Sequence, residues 1–164
     1  MSDKIVRTVS ASFARPANTT AYASGDLVAN NETAGSVTAL SLTFGGAGGI
    51  SSSAIGRAKL AKTGTSTTNA SFRVHLFSAA PTLTNGDNGA FSPDGVADYL
   101  GSFDVTIDQA FTDGACGYGT PRSGAAELLG NLPGGNVRAL IEARAAYTPA
   151  SGETFTLTLE GYDY

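Results

Sequence analysis

The chain has 164 residues, a net charge of −4 and a sequence pI near 4.8, with 41% hydrophobic but only 15% charged residues. That length suits one domain, read here as residues 1–164, and the charged fraction is well below the roughly 25% of an average globular protein, which leaves the surface to Ser, Thr, Asn and Gly. An acidic chain without clustered Lys and Arg argues against nucleic acid, the single Cys116 excludes an internal disulfide, and "MSDKIVRTVS" has no apolar h-region, so a protein made in a cytoplasm and not held in a membrane is expected.

In chain order, residues 1–8 read as an extended N-terminal arm carrying Lys4 and Arg7, overlapping the first strand candidate, Ile5–Phe13. Ala21–Ala29, Ser36–Phe44 and Ile50–Ala61 follow as further strands, parted by the turn clusters "NNETAGS" and "GGAGG". After "KTGTSTTN", the run "ASFRVHLFS" sets Phe72, Val74 and Leu76 on one face and Arg73, His75 and Phe77 on the other. Tyr99–Ile107 is the next strand. "SGAAELLGNLP" suits a short helical turn from Ala125 to Leu129, kept short by its flanking Gly and Pro. "NVRALIEARAAY" alternates Val137, Ala139, Ile141 and Ala143 with Arg138, Leu140, Glu142 and Arg144. "ETFTLTLEGYDY" turns Phe155, Leu157 and Leu159 inward and Thr156, Thr158 and Glu160 outward. Strict period two over such runs marks half-buried strands. Some eight strands with no long helix predict an all-β, antiparallel, jelly-roll-like β-sandwich. An immunoglobulin-like sandwich has no support from a Cys…Trp…Cys pattern, since there is no Trp.

The candidate chemistry is sparse. His75 is the only histidine; in mid-strand, beside Arg73 and Phe77, it reads as a surface or interface residue rather than a catalytic base. No G-x-S-x-G elbow supports a serine nucleophile. Cys116 sits in the glycine-rich "DGACGYGT", which reads as a turn, and has no base but His75 to call on. "GGAGGI" lacks the Lys-Ser/Thr ending of a phosphate loop.

"TNGDNGAFSPDG", Thr84 to Gly95, is the most distinctive stretch. It fails the EF-hand pattern, because Asp87 is followed two positions later by Gly89; the residual metal reading is an irregular Ca²⁺ site of Asp87, Asn88, Asp94 and Asp98. The alternative is two linked turns, with left-handed positions at Gly86 and Gly89, a β-turn at "SPDG", and Phe91 anchoring the loop to the body. No Lys or Arg occurs from Val74 to Pro121, whereas Arg57, Lys59, Lys62 and Arg73 lie just before. This asymmetry fits either ordinary solvated charge or an acidic edge meeting a basic edge of a second subunit.

Two stretches resemble small virion proteins of tailed bacteriophages. In "FARPANTTAYASGDLVAN" the matching residues are Arg15, Pro16, Asn18, Thr20, Tyr22, Gly25 and Asp26. In "RVHLFSAAPTLTNGDNGAFSPDGVADYLGSF" they are Asp87, Asn88, Ala90, Phe91, Tyr99 and Gly101. The resemblance implies a jelly roll of the capsid decoration, or cement, type: a homo-oligomer, usually a trimer, bound to the major capsid protein on the outside of the head. It implies no catalytic residue; separately, no cofactor or metal is expected. The expected subunit or capsid interface comprises Lys4, Arg7, Arg57, Lys59, Asp87, Asn88, Phe91 and Asp94, and deleting Gly86–Gly89 is expected to impair assembly more than folding. The alternative is a tail-fibre or baseplate module reading host glycans, weakened by the lack of Trp and by scattered tyrosines, of which Tyr162 and Tyr164 are the nearest pair. An enzyme ranks last.

Overall fold

The computed structural model describes residues 5–44, 53–124, 128–130 and 135–163. Within them lie eleven strands: β1 (Ile5–Ala14), β2 (Leu27–Val28), β3 (Leu40–Thr43), β4 (Ser53–Lys62), β5 (Ser71–Phe77), β6 (Tyr99–Thr106), β7 (Gln109–Phe111), β8 (Gly114–Gly119), β9 (Leu128–Gly130), β10 (Asn136–Ala143) and β11 (Thr154–Asp163). All pairings between them are antiparallel. One sheet runs β1-β11-β4-β8-β7, with β9 also on β4; the other runs β2-β10-β5-β6, with β3 also on β10.

This order is that of a jelly roll. β2 and β3 pair with successive parts of β10 and act as one interrupted strand. With β7 and β9 set aside as short additions, eight principal strands remain; the eight read from the sequence counted the β2 and β3 regions separately and did not include β8. They pair first with last: β1 with β11, β2/β3 with β10, β4 with β8, and β5 with β6. The chain is thus one long antiparallel ribbon, and folding it over adds the pairs β4–β11 and β5–β10. Residues 78–98, which join β5 to β6, form the tip of that ribbon.

The core follows the alternation in the sequence. Phe155, Leu157 and Leu159 of β11 face Phe72, Val74 and Leu76 of β5 and Val137, Ala139 and Ile141 of β10 within one cluster, each essentially inaccessible. Burying a side chain of this size stabilises the fold by roughly 1.5–3 kcal/mol. Phe72 meets Phe155 edge-on at 5.5 Å across the two sheets, and Phe13 stacks on Phe155 at 5.7 Å within the first sheet.

Several expected elements change. Residues 5–8 are the first half of β1, in register with residues 160–163 of β11, rather than a free arm; Met1–Lys4 lie outside the described residues, as does the "GGAGG" turn. Ala21–Ala29 contributes only Leu27–Val28, because Gly25 takes a left-handed φ of +98° and Asp26 caps the Ala23 N–H at 2.6 Å. The helical turn expected at Ala125–Leu129 gives way at its end to β9, paired with Ser53–Ile55; residues 125–127 are outside the described set. "GACGYG" is strand β8 rather than a turn. A Cβ at Gly117 would lie 1.9 Å from the Thr106 carbonyl oxygen, and one at Gly119 2.3 Å from that of Asp104. Glycine lets β8 pass against β6 of the other sheet and close that corner of the sandwich.

Candidate functional site

The two sheets treat their outer faces differently. On the first sheet, outward side chains meet one another at the surface. Ser10 pairs with Thr158 at 2.7 Å, Ser12 with Thr156 at 2.8 Å, and Arg57 with Glu160 at 2.7 and 2.8 Å. On the second sheet, Phe77 and Leu140 also point away from the core, yet both are buried. With Leu27 and Ala29 they form a second apolar cluster, joined by Val37, Ala39, Leu83 and Phe91. The cover is the ribbon tip, residues 78–98, together with the segment around β2.

An ion pair locks this cover down. Asp87, at the centre of the turn closed by the Gly89 N–H on the Gly86 carbonyl, is buried. Its carboxylate accepts from the Tyr22 hydroxyl at 2.7 Å, the Ala29 N–H at 2.8 Å and Arg15 Nη2 at 3.2 Å. Arg15 also donates through Nε to the Tyr22 oxygen at 2.7 Å and through Nη1 to the Asn18 carbonyl at 2.7 Å. The Arg15 and Asp87 side chains are fully shielded from solvent. Burial pushes the Asp87 carboxyl above its ordinary range, against the pull of the Ala29, Tyr22 and Arg15 donors, and raises the Tyr22 phenol far beyond reach of ordinary pH. Backbone bonds extend the lock: Leu27 N–H to Gly89, Asn88 N–H to Leu27, Phe91 N–H to Gly25 and Asp87 N–H to Asn31, at 2.7–2.9 Å. The Asn88 amide reaches the Thr20 and Ala21 carbonyls at 3.2 Å each.

The turn chemistry differs in detail from expectation. Asn88, at φ +64°, takes the left-handed position, rather than Gly86 or Gly89. Gly86 is required for closeness, since a Cβ there would sit 2.0 Å from the Glu32 carbonyl oxygen. "SPDG" is no β-turn: Pro93 bridges to Leu83, and Gly95, at φ +96°, leads into a single 3-10 turn at Val96–Asp98.

A second buried ion pair adjoins the first. Lys62 Nζ lies 3.3 Å from Glu153 Oε1, both side chains fully buried, and the Tyr147 hydroxyl donates to the same carboxylate at 2.7–2.8 Å. Burial lowers the Lys62 pKa, partly opposed by Glu153. Tyr147 stacks on Tyr22 at 6.5 Å, so the two networks share an aromatic wall.

His75 is not the surface histidine expected. It is 9% exposed, stacked on Phe91 at 4.4 Å, with Nε2 2.8 Å from Glu142 and Nδ1 3.0 Å from the Tyr99 hydroxyl. Burial pushes its pKa below the ordinary value despite Glu142. Burial alone would raise Glu142, but hydrogen bonds from His75 and Arg144 bring it below the usual carboxylate range. With Glu142 ionised, Nε2 carries the imidazole proton, and the Tyr99 hydroxyl donates to Nδ1.

The expected interface residues fall into separate places. Asp87, Asn88 and Phe91 are engaged within the chain, as above. Asp94 is exposed and caps the Thr82 N–H at 2.6 Å. Arg57 and Lys59 lie on the outer face of the first sheet, 4.5 and 5.9 Å from the Tyr118 ring. Arg7 is in β1, and Lys4 is outside the described residues. Much of the charge asymmetry is balanced within the chain: Arg57 by Glu160, Lys62 by Glu153, and Arg73 and Arg122 by Asp104. The carboxylates of Asp87, Asp94 and Asp98 turn to three different partners, and among the described residues no three His, Cys, Asp or Glu side chains gather closely enough to hold a metal ion. Cys116 and His75 occupy different sheets.

The sequence singled out both halves of the Arg15–Asp87 lock but not their meeting. An arginine in one loop and an aspartate in a distant glycine- and asparagine-rich loop were the available signal. The Lys62–Glu153–Tyr147 network gave none, because Lys62 ends a strand like any solvated lysine.

Fold and site together define a jelly-roll β-sandwich whose second sheet carries a loop cover fastened by buried polar networks. No protein-family model matches the chain, and no curated protein matches it significantly.

Proposed function

We propose that the chain is a non-enzymatic virion structural protein, a capsid decoration or cement protein that sits on the outer surface of a phage head and stabilises contacts between capsomers. One observation carries this reading: the two phage-like motifs converge on a single structural unit. Arg15, Asn18, Thr20, Tyr22, Gly25 and Asp26 of the first motif are bonded to one another or to Asp87, Asn88, Ala90 and Phe91 of the second, with Asn88 held by the Thr20 carbonyl. The resemblance therefore rests on one interlocked feature rather than on two unrelated stretches.

The architecture is compatible, since eight-stranded jelly rolls serve viral capsids and lectins alike, though a fold alone does not fix a function. A cement protein has to hold its shape while weak contacts repeat over a shell, and trimerisation multiplies such contacts by avidity. The doubly covered second sheet supplies stiffness. The first sheet's outer face, with Arg57, Lys59 and Tyr118, offers surface for the major capsid protein or a second subunit.

Cryo-electron microscopy of purified virions tests this. The expected result is stoichiometric density on the head, and loss of heat resistance in particles lacking the protein. Density at the tail tip would overturn it in favour of the fibre or baseplate reading, and absence from the particle would overturn both.

A further inference from the structure

Beside the lock, the cover leaves a cavity of about 230 Å³ open to the surface. It is lined by the aromatic side chains of Phe77, Phe91 and Tyr99, by His75, and by Val96 and Asp94. Val96 is 92% exposed and Tyr99 41% exposed, so apolar surface stands uncovered at its mouth. Small-molecule clefts usually occupy roughly 300–1,000 Å³; this one suits a single side chain.

The chemistry of the lining selects the side chain. Asp94 is the only carboxylate or cation among the lining residues. One of its oxygens caps the Thr82 N–H, leaving the other to accept from a ligand. With the imidazole proton on Nε2 toward the Glu142 carboxylate, Nδ1 accepts from the Tyr99 hydroxyl, whose oxygen is left to accept from a ligand. His75 is held neutral by burial and does not repel a cation. The nearby cations are turned elsewhere: Arg73 and Arg122 onto Asp104, and Arg144 onto Glu142. Aromatic rings, a carboxylate and acceptor-only oxygens together favour a donor-rich cation. Guanidinium is the best match, because it stacks on aromatic faces and pairs with carboxylate, while its aliphatic stem can lie along Val96.

We propose that this cavity is a docking site for one arginine side chain of a partner protein. On the virion reading that partner is a shell protein, but the pocket chemistry does not depend on that reading.

The test is an NMR titration of the full chain with the blocked peptide acetyl-Gly-Arg-Gly-amide, against the same peptide carrying citrulline, the neutral isostere. Saturable shifts at His75, Phe91, Val96 and Tyr99 are expected, with the citrulline peptide weaker by about fivefold or more. Asp94→Asn keeps a carbonyl for the Thr82 N–H but removes the charge, and is expected to weaken arginine binding by a similar factor of about five without changing the melting temperature. Val96→Lys places a competing ammonium at the mouth and is expected to abolish the shifts. Absence of saturable shifts, equal response to both peptides, or shifts unaffected by Asp94→Asn would each overturn the proposal. Failure here leaves the location of the protein on the particle to be decided by microscopy, so the two readings fail separately.

Discussion

The outer faces of the two sheets began as the same sequence pattern and end as different materials. In β11, Thr156, Thr158 and Glu160 alternate with core residues and remain at the surface, paired with Ser12, Ser10 and Arg57. In β5 and β10, His75, Phe77, Leu140 and Glu142 alternate in the same way but are buried beneath the loop cover. Period two states which side chains leave the sandwich core; it does not state whether water or more protein awaits them. The larger, apolar character of Phe77 and Leu140 was the clue to the difference.

The largest expected effect comes from breaking the lock. Asp87→Ala leaves Arg15 buried without its partner and is expected to cost about 3–5 kcal/mol in urea denaturation. Deleting Gly86–Gly89 removes Asp87 and the backbone bonds beside it. The deletion is therefore expected to lower the melting temperature of the isolated protein, read by circular dichroism; an unchanged melt with failed assembly is the outcome that the reading of this loop as an interface expects.

A matched pair sharpens the comparison directly. Leu140→Ala, on the outer face of the second sheet, is expected to cost about 2–5 kcal/mol, as in any core. Thr158→Ala, on the outer face of the first, should stay within about 0.5 kcal/mol. Equal effects from the two would erase the distinction.

The smallest effect is electrostatic. The folded pKa of His75 lies below its ordinary value of 6.5. Between the two values the unfolded chain binds a proton that the folded chain does not, so stability falls as pH drops below 6.5 toward the folded pKa. The melting temperature should therefore decline as pH falls below 6.5, and His75→Gln should flatten that slope.

Local patterning made most of the fold legible. β1, β4, β5, β6, β10 and β11 all lie in runs whose alternation is visible by eye, and the antiparallel jelly roll followed from their number and the absence of helices between them. β8 was hidden because its glycines answer to the carbonyls of Thr106 and Asp104 on the facing sheet, a constraint with no local trace. The lock was hidden for the same reason: Arg15 and Asp87 are 72 residues apart and meet only once the ribbon has folded. His75 was misread as a surface residue because the cover that buries it comes from residues 78–98 and the segment around β2, not from its own strand.

The ribbon tip belongs to the folded core rather than to a surface loop. Native-state hydrogen exchange at the amides of Leu27, Ala29, Asn88 and Phe91, set against that of Leu157 in β11, tests it most directly. These loop amides are bonded to Gly89, Asp87, Leu27 and Gly25. If the cover is core, they open only with global unfolding, at the same free energy as Leu157, and lose that protection in Asp87→Ala. Exchange orders of magnitude faster than at Leu157, unchanged by Asp87→Ala, would contradict it.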